Sequence, residues 1–396
     1  MTSMDIQVKD PRSDDQPRLF MFIRTNNGRY VLYMIDAIRL FREKIAKEPL
    51  LPLLFFKRRV LPDCQCAFAF IEPNFYVIGE ERDEVCTFNK YTILNLKPTE
   101  KRRGSDFLVP QTPMIWPKLE PLAFSYNDNL YVISKQGSPV PKQFNAFEFY
   151  SPLNGTWTDL WPKPMWQSSI KAYVIHQNMV YFSLTSQTIM SFNLKISKWS
   201  TVYDPYGQLY IHKDRFPRYS DPIPSTFDSQ IEVFGDTFFG GVGAGDQHFD
   251  IFASQNFKPF EKPFLRPTLN PTKDFCNALD TRTVKDSPVC SKYIVKMEIE
   301  GIMCVLCYTN LSTGDRSSLV VLNFFNVSND SHQLISSSSN PTLPQVPPRA
   351  TFLFDAVEED GQNVNYFKAD LLSRTQLPIN TRKKSTHGTL CTCLLV

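Results

Sequence analysis

Few residues in this chain have types and spacing suited to chemistry. Cys304-Val305-Leu306-Cys307 has the spacing of a redox pair or of half a zinc site. Tetrahedral zinc takes four ligands, and no second close pair is placed to complete the set. Residues i and i+3 of an extended strand face opposite sides, so these thiols are expected as separate core residues. Cys64-Gln65-Cys66 is similarly isolated. Gly240-Gly241-Val242-Gly243-Ala244-Gly245 has the outline of a phosphate-binding loop, which needs a helix N-terminus behind it. The next residues, Asp246-Gln247-His248-Phe249-Asp250-Ile251, read as a strand, so the glycines are expected at a turn between strands. His176, His212, His248, His332 and His387 are scattered among turns and loops. With no convergent titratable set, no catalytic residue, metal or cofactor is expected.

The last residues carry a different chemistry. Cys393-Leu394-Leu395-Val396 fits a prenylation box, with Cys391 and the basic Arg382-Lys383-Lys384 upstream. Prenylation of Cys393 and palmitoylation of Cys391, beside that charge, would supply the two signals that stable membrane anchoring needs.

The bulk composition bounds what could position such residues. Of 396 residues, 42% are hydrophobic, enough for a substantial core and too many for a disordered chain. Aromatic residues reach 13%, which suits pleated, half-buried surfaces better than helices. Pro numbers 30 against 15 Gly, so turns must be frequent. The formal charge of +3 is slight for this length and argues against nucleic acid, which calls for a concentrated basic stripe. No apolar run is long enough for a membrane-spanning helix, and residues 1–17 lack the apolar stretch of a signal peptide. Reduced thiols and a cytoplasmic or nuclear location are therefore expected.

Short apolar or alternating segments separated by turn residues dominate the chain. The one helical pattern is Asp36–Lys47, where Ile38, Phe41 and Ile45 share a face. Six hairpins can be read. They are Leu19–Ile23 with Tyr30–Ile35, Cys66–Ile71 with Phe75–Gly79, and Leu122–Tyr126 with Leu130–Ser134. Lys171–Ile175 then pairs with Met179–Leu184, Ile231–Phe234 with Thr237–Gly241, and Tyr293–Ile299 with Ile302–Tyr308. Further strands follow three of them: Ala146–Tyr150 and Thr156–Leu160, Ile189–Leu194 and Lys198–Tyr203, His248–Ala253 and Phe257–Lys262. Tyr76, Tyr131 and Tyr181 occupy matching places, as do Trp157, Trp199 and Phe260.

Four strands in each ~40–50-residue unit define a propeller blade. One such sheet cannot bury both faces, whereas sheets stacked radially bury each against the next. A large aromatic on the outer strand then fills the wedge that widens away from the axis. The fold expected is all-β, with about six four-stranded blades. One blade is closed by strands from both chain ends, here Leu19–Ile35 with the hairpin Thr351–Val357 and Val364–Leu371. The domain is expected over residues 18–373, between a disordered segment 1–17 and a flexible tail 374–396.

The matched units resemble Kelch repeats. The residues that carry the resemblance are Gly240-Gly241 after an apolar strand, then Phe249, Phe252 and Phe260. The stretches Phe149–Trp157 and Ser191–Trp199, and the exit Leu160-Trp161-Pro162-Lys163-Pro164, match the end of the repeat. The opening Gly28-Arg29-Tyr30-Val31-Leu32 resembles divergent propeller proteins of plants, many of which carry an F-box. No F-box is recognisable here. The resemblance implies a binding platform for a protein partner, and a monomer is expected. Two enzymatic branches use similar propellers. Iron-dependent specifiers of glucosinolate breakdown carry Glu, Asp and His at spacing four, which Glu232 and Asp236 match until Gly240 stands in the His position. Copper-radical oxidases need several His and Tyr ligands on one face of the ring. The blade-joining intervals Asp204–Ser229 and Phe264–Cys290 are expected to shape the binding rim, with Tyr210, Arg215, Phe216, Arg218 and Tyr219 as anchors.

Overall fold

The computed structural model describes residues 18–25, 30–43, 52–55, 66–79, 87–92, 109–118, 120–136, 147–160, 164, 168–186, 188–203, 231–234, 237–243, 249–255, 266–267, 290–297, 301–310, 318–330, 351–355, 366–379 and 388–395. They are almost entirely β, in antiparallel sheets. The chain opens with strands β1 (Leu19–Thr25) and β2 (Tyr30–Ile35), then helix α1 (Ala37–Glu43) and strand β3 (Pro52–Phe55). Asp36 caps the helix, its carboxylate accepting the Arg39 N–H at 2.8 Å.

A second sheet takes β4 (Ala67–Ile71), β5 (Asn74–Gly79), β6 (Thr87–Thr92) and β7 (Val109–Pro110) in sequence order. A third takes β8 (Pro121–Tyr126), β9 (Asn129–Ser134), β10 (Phe147–Ser151) and β11 (Thr156–Leu160). The fourth holds β12 (Ile170–His176), β13 (Met179–Leu184), β14 (Ile189–Asn193) and β15 (Lys198–Tyr203). In the fifth, β16 (Ile231–Phe234), β17 (Thr237–Gly243) and β18 (Phe249–Gln255) pair in order. The last sheet is larger. It is built from β19 (Arg266–Pro267), β20 (Cys290–Lys296), β21 (Ile302–Asn310), β22 (Ser318–Asp330), β23 (Thr351–Asp355) and β24 (Tyr366–Ile379), in the order β19-β23-β24-β22-β21-β20. The final strand, β25 (Gly388–Leu395), returns to the first sheet and pairs with β1, giving the order β25-β1-β2-β3.

Successive sheets pack through apolar faces. Phe22 stacks on Phe68 with ring centroids 3.9 Å apart, joining the first sheet to the second. Tyr76, Ala123, Val132 and Tyr150 form a core between the second and third, while Phe124, Phe147, Phe182 and Phe192 do so between the third and fourth. Leu19, Tyr33, Cys304 and Phe324 belong to one cluster that joins the first sheet to the last. Each of the Phe, Leu and Val side chains contributes about 1.5–3 kcal/mol on burial. Leading strands also touch one another: β25 lies against β4, β4 against β8, β12 against β16, β16 against β20, and β20 against β25.

All six expected hairpins form, with ends shifted by a few residues. Helix α1 forms where the sequence predicts it, and residues 44–47 of the expected helix lie outside the described residues. Three expectations need correction. Gly240 and Gly241 lie inside β17, not at a turn, with Gly240 opposite Ile231 and Phe252. Strands from both chain ends do share one sheet, but β25 supplies the carboxyl-terminal strand. The hairpin at 351–371 instead forms β23 and β24 of the last sheet, where β22 offers β24 a ladder from Ser318 to Asp330. The boundary at 373 falls inside β24, and residues 388–395 are a paired strand instead of a flexible tail. Segment 1–17 and Phe260 lie outside the described residues.

Candidate functional site

In a four-stranded antiparallel meander, the turns joining strands one to two and three to four emerge at the same end. In the third and fourth sheets these turns are held in defined shapes. Asn127 and Asp128, between β8 and β9, adopt φ values of 46° and 57°. Two successive left-handed residues make the hairpin turn that matches strand twist, and Asn and Asp tolerate it best after Gly. Asn129 Nδ2 donates to the Asn127 carbonyl at 2.9 Å. In the β12–β13 turn, Gln177 takes φ 54°.

The turns are tied to one another. Tyr126 donates its hydroxyl to Asn178 Oδ1, fastening the β8–β9 turn to the β12–β13 turn of the next sheet. The Leu194 N–H donates to the Asn178 carbonyl at 2.8 Å, which fastens that turn to the one between β14 and β15. There Asn193 Oδ1 accepts the N–H groups of Lys195 and Ile196 at 2.9 and 3.1 Å. Between β10 and β11, Asn154 and Gly155 donate their N–H groups to the Ser151 carbonyl. Gly155 at φ 65° and Ser197 at φ 52° occupy corresponding turn positions in the two sheets.

These scaffolded turns present aliphatic side chains to solvent. Leu153 is 93% exposed and Ile196 65% exposed, with Asn127, Asp128, Gln177, Asn178 and Lys195 exposed around them. The arrangement offers apolar knobs among hydrogen-bonding groups, held in place before any partner arrives. Groups held in place in this way lose less conformational entropy on making a contact than mobile ones would.

The linker into the third sheet is fixed as firmly. Glu148, fully buried on β10, accepts the N–H groups of Ile115 and Trp116 at 2.8 and 3.0 Å and forms an ion pair with the fully buried Lys118. Lys118 Nζ also donates to the Trp116 carbonyl at 3.0 Å. Trp157 Nε1 donates to the Thr112 carbonyl at 2.8 Å, and Thr112 Oγ1 to the Gly155 carbonyl at 3.0 Å. Residues 111–118 are thereby strapped across β10 and β11.

The matched aromatic positions behave as repeats. Trp157 opposes Tyr150 and Trp199 opposes Phe192 in the same register of their hairpins. Trp199 sits 5.0 Å from the Phe192 ring and 5.5 Å from Phe182, closing the core between its sheet and the third. Burial raises the Tyr76 phenol to about 12, with Tyr150 adding to the rise. Burial also raises the Tyr173 phenol, helped by Glu232 of the neighbouring sheet.

Other expected site residues fall as follows. Cys304 is buried in β21, where burial pushes its thiol up, and Cys307 lies three residues along the same strand. Cys66 is buried, and its N–H donates to the Tyr30 hydroxyl at 3.3 Å. Cys391 and Cys393 lie in β25, with Cys393 opposite Met21. Tyr210, Arg215, Phe216, Arg218 and Tyr219 lie outside the described residues, as do His212, His248, His332 and His387. Residues 204–230, which include the five rim candidates and His212, join β15 to β16, and β15 runs away from the turn end. The chain therefore leaves the fourth sheet toward that segment at the opposite end from Leu153 and Ile196. Among the described residues, no three His, Cys, Asp or Glu side chains gather into a group able to hold a metal ion. No described helix is long and apolar enough to cross a membrane.

No family model matches the sequence, and no curated protein matches it. Among solved structures, the chain is similar to YjhT at 11% identity and a TM-score of 0.39, covering 77% of this chain and 97% of that one. It is similar to the computationally designed Ika8 protein at 11% identity and a TM-score of 0.35, over 88% and 83% of the two chains. A third likeness is to the N-terminal domain of Nup159, at 11% identity and a TM-score of 0.35, over 90% and 86%. Scores of this size carry no functional argument, and the strand pairings describe the architecture by themselves.

Proposed function

We propose that this chain is a Kelch-like β-propeller of six blades that binds a protein partner, acting as a scaffold in the cytoplasm or nucleus and not as an enzyme. The contacts that link β12, β16, β20, β25, β4 and β8 in that order support a ring in which β8 would adjoin β12. The observation that carries the binding role is the turn end of the third and fourth sheets. Tyr126 and Asn178 tie three of its turns together, Ser151 and Thr112 hold the fourth, and Leu153 and Ile196 stand out in solvent. The opposite end, where β15 finishes and the chain goes on toward residues 204–230, is the second surface such a ring would offer.

The test is site-specific photocrosslinking of the full-length protein in cells. The crosslinker replaces Leu153 or Ile196 at the turn end, Tyr210 or Phe216 in the segment between β15 and β16, and exposed Thr158 on an outer strand as control. A partner captured at one end but not at Thr158, and then bound by the purified chain, supports the reading and identifies the rim. Replacing Leu153 and Ile196 by Asp should weaken a turn-end partner at least about tenfold, the loss of a few apolar anchors, without lowering thermal stability. A purified chain that carries stoichiometric metal, turns over substrate and captures no partner at either end would overturn it.

A further inference from the structure

In five of the six sheets the leading strand is joined to its neighbour by a short hairpin connection: β4 to β5, β8 to β9, β12 to β13, β16 to β17 and β20 to β21. The first sheet is different. Its leading strand is β25, and the covalent path from β25 back to β1 runs through every other sheet. A short turn keeps two strands at high effective concentration after a local opening, so they re-pair at once. Nothing of that kind holds β25 at β1.

The ladder itself has a weak point. Phe22 pairs with Thr392 while Ile23 pairs with Leu390, so Cys391 is the extra residue of a bulge. β25 is also the edge strand of its sheet, so its departure breaks one ladder and leaves β1–β2 and β2–β3 intact. Local openings are drawn from such sites. The edge vacated would be that of β1, Leu-Phe-Met-Phe-Ile-Arg-Thr, whose first five residues are buried. An open edge of that composition, with one charge, is a template for another uncharged strand. The sequence whose register already fits it is Gly-Thr-Leu-Cys-Thr-Cys-Leu-Leu, that of β25.

We propose that β25 is an exchangeable strand, and that the β1 edge it vacates accepts β25 of a second copy of this chain, giving a reciprocally swapped pair. The swapped pair makes the same contacts as the single chain, so its population is set by protein concentration and its rate by opening of the β25–β1 seam.

The test mixes two full-length proteins, one unaltered and one carrying Met21→Cys and Cys393→Ser. Met21 and Cys393 are partners in the ladder, so the thiol introduced into β1 of the variant meets a Cys393 only if β25 has crossed between copies. Under mild oxidation with oxidised glutathione, the expected result is a disulfide-linked peptide pair between copies, joining the introduced β1 thiol to Cys393. Its yield should rise with total concentration and exceed by at least tenfold that of a control pair in which Leu153→Cys, with Cys393→Ser, replaces the Met21→Cys variant. Equal yields from the two mixtures would overturn the proposal. Hydrogen exchange on the unaltered chain gives a second reading that needs no substitution. Amides of β25 bonded to β1 should exchange at least tenfold faster than those between β1 and β2, and equal protection would overturn the proposal. A within-chain disulfide between the introduced thiol and Cys393 in the single Met21→Cys protein, with none between copies, would leave the closed ring standing and remove only the exchange.

Discussion

The buried pair Lys118–Glu148 makes the strongest residue-level prediction. Glu148 satisfies two backbone N–H groups as well as Lys118, so the carboxylate is over-determined and the lysine is its counter-charge. Lys118→Met leaves that charge buried and unpaired, which should cost about 3–5 kcal/mol in urea unfolding. A loss below about 1 kcal/mol would show that the strap does not depend on the pair. The buried tyrosines predict an alkaline limit. The Tyr76 phenol is raised to about 12 by burial and by Tyr150, so the unfolded chain releases its proton first as pH passes 10. The contribution is intact below pH 10 and is lost as pH rises through about 12. Phenolate absorbance and unfolding followed together should rise in step, and full ionisation of Tyr76 in a still-folded chain would contradict the burial. Little of this is legible in the sequence. Glu148 stands out there only as a charge between Phe147 and Phe149, and its partner lies on a linker 30 residues earlier.

Among the elements, the turns offer sharp comparisons. Ser197 at φ 52° and Gln177 at φ 54° hold a left-handed conformation that costs an L-residue about 1–2 kcal/mol. Ser197→Gly should therefore stabilise the fourth sheet by about 0.5–1 kcal/mol, the glycine's own unfolded-state entropy taking back part of the gain. Gly155→Ala, at the corresponding place and with φ 65°, should destabilise by a similar amount. Thermal melts of the two variants shifting in the same direction would refute the correspondence. Trp199→Ala should cost about 3–5 kcal/mol, since the ring closes the core between two sheets. The hairpins and the matching aromatics are legible in sequence because their information is local, in turn residues and short β-rich runs. β3 and the two-residue β7 are not. Pro52 opens the first, and the second is two residues beside a partner that offers no turn signal. Leu153 and Ile196 carry no sequence signal for a related reason. An aliphatic residue within a turn is visible, but its exposure depends on how the turn is tied to the next sheet.

At the scale of the whole molecule, the repeat spacing conveys a series of sheets and the need to join the chain ends. It does not convey which strand joins them. β25 pairs with a strand at the far end of the sequence, so neither a turn nor a short spacing marks it, and its Cys-Thr-Cys-Leu-Leu stretch reads equally well as a lipid signal. The strand and the lipid signal thus fall on the same residues. The same long-range pairing carries the proposed ring, in which β25 touches both β20 and β4. The direct measurement is peptide mapping of the full-length Met21→Cys protein after mild oxidation at low protein concentration. The account predicts a near-quantitative disulfide between the introduced thiol and Cys393 of the same chain. Cys393 recovered as a free, readily alkylated thiol in a chain that is otherwise folded would contradict it, and the ring would then have no closing strand.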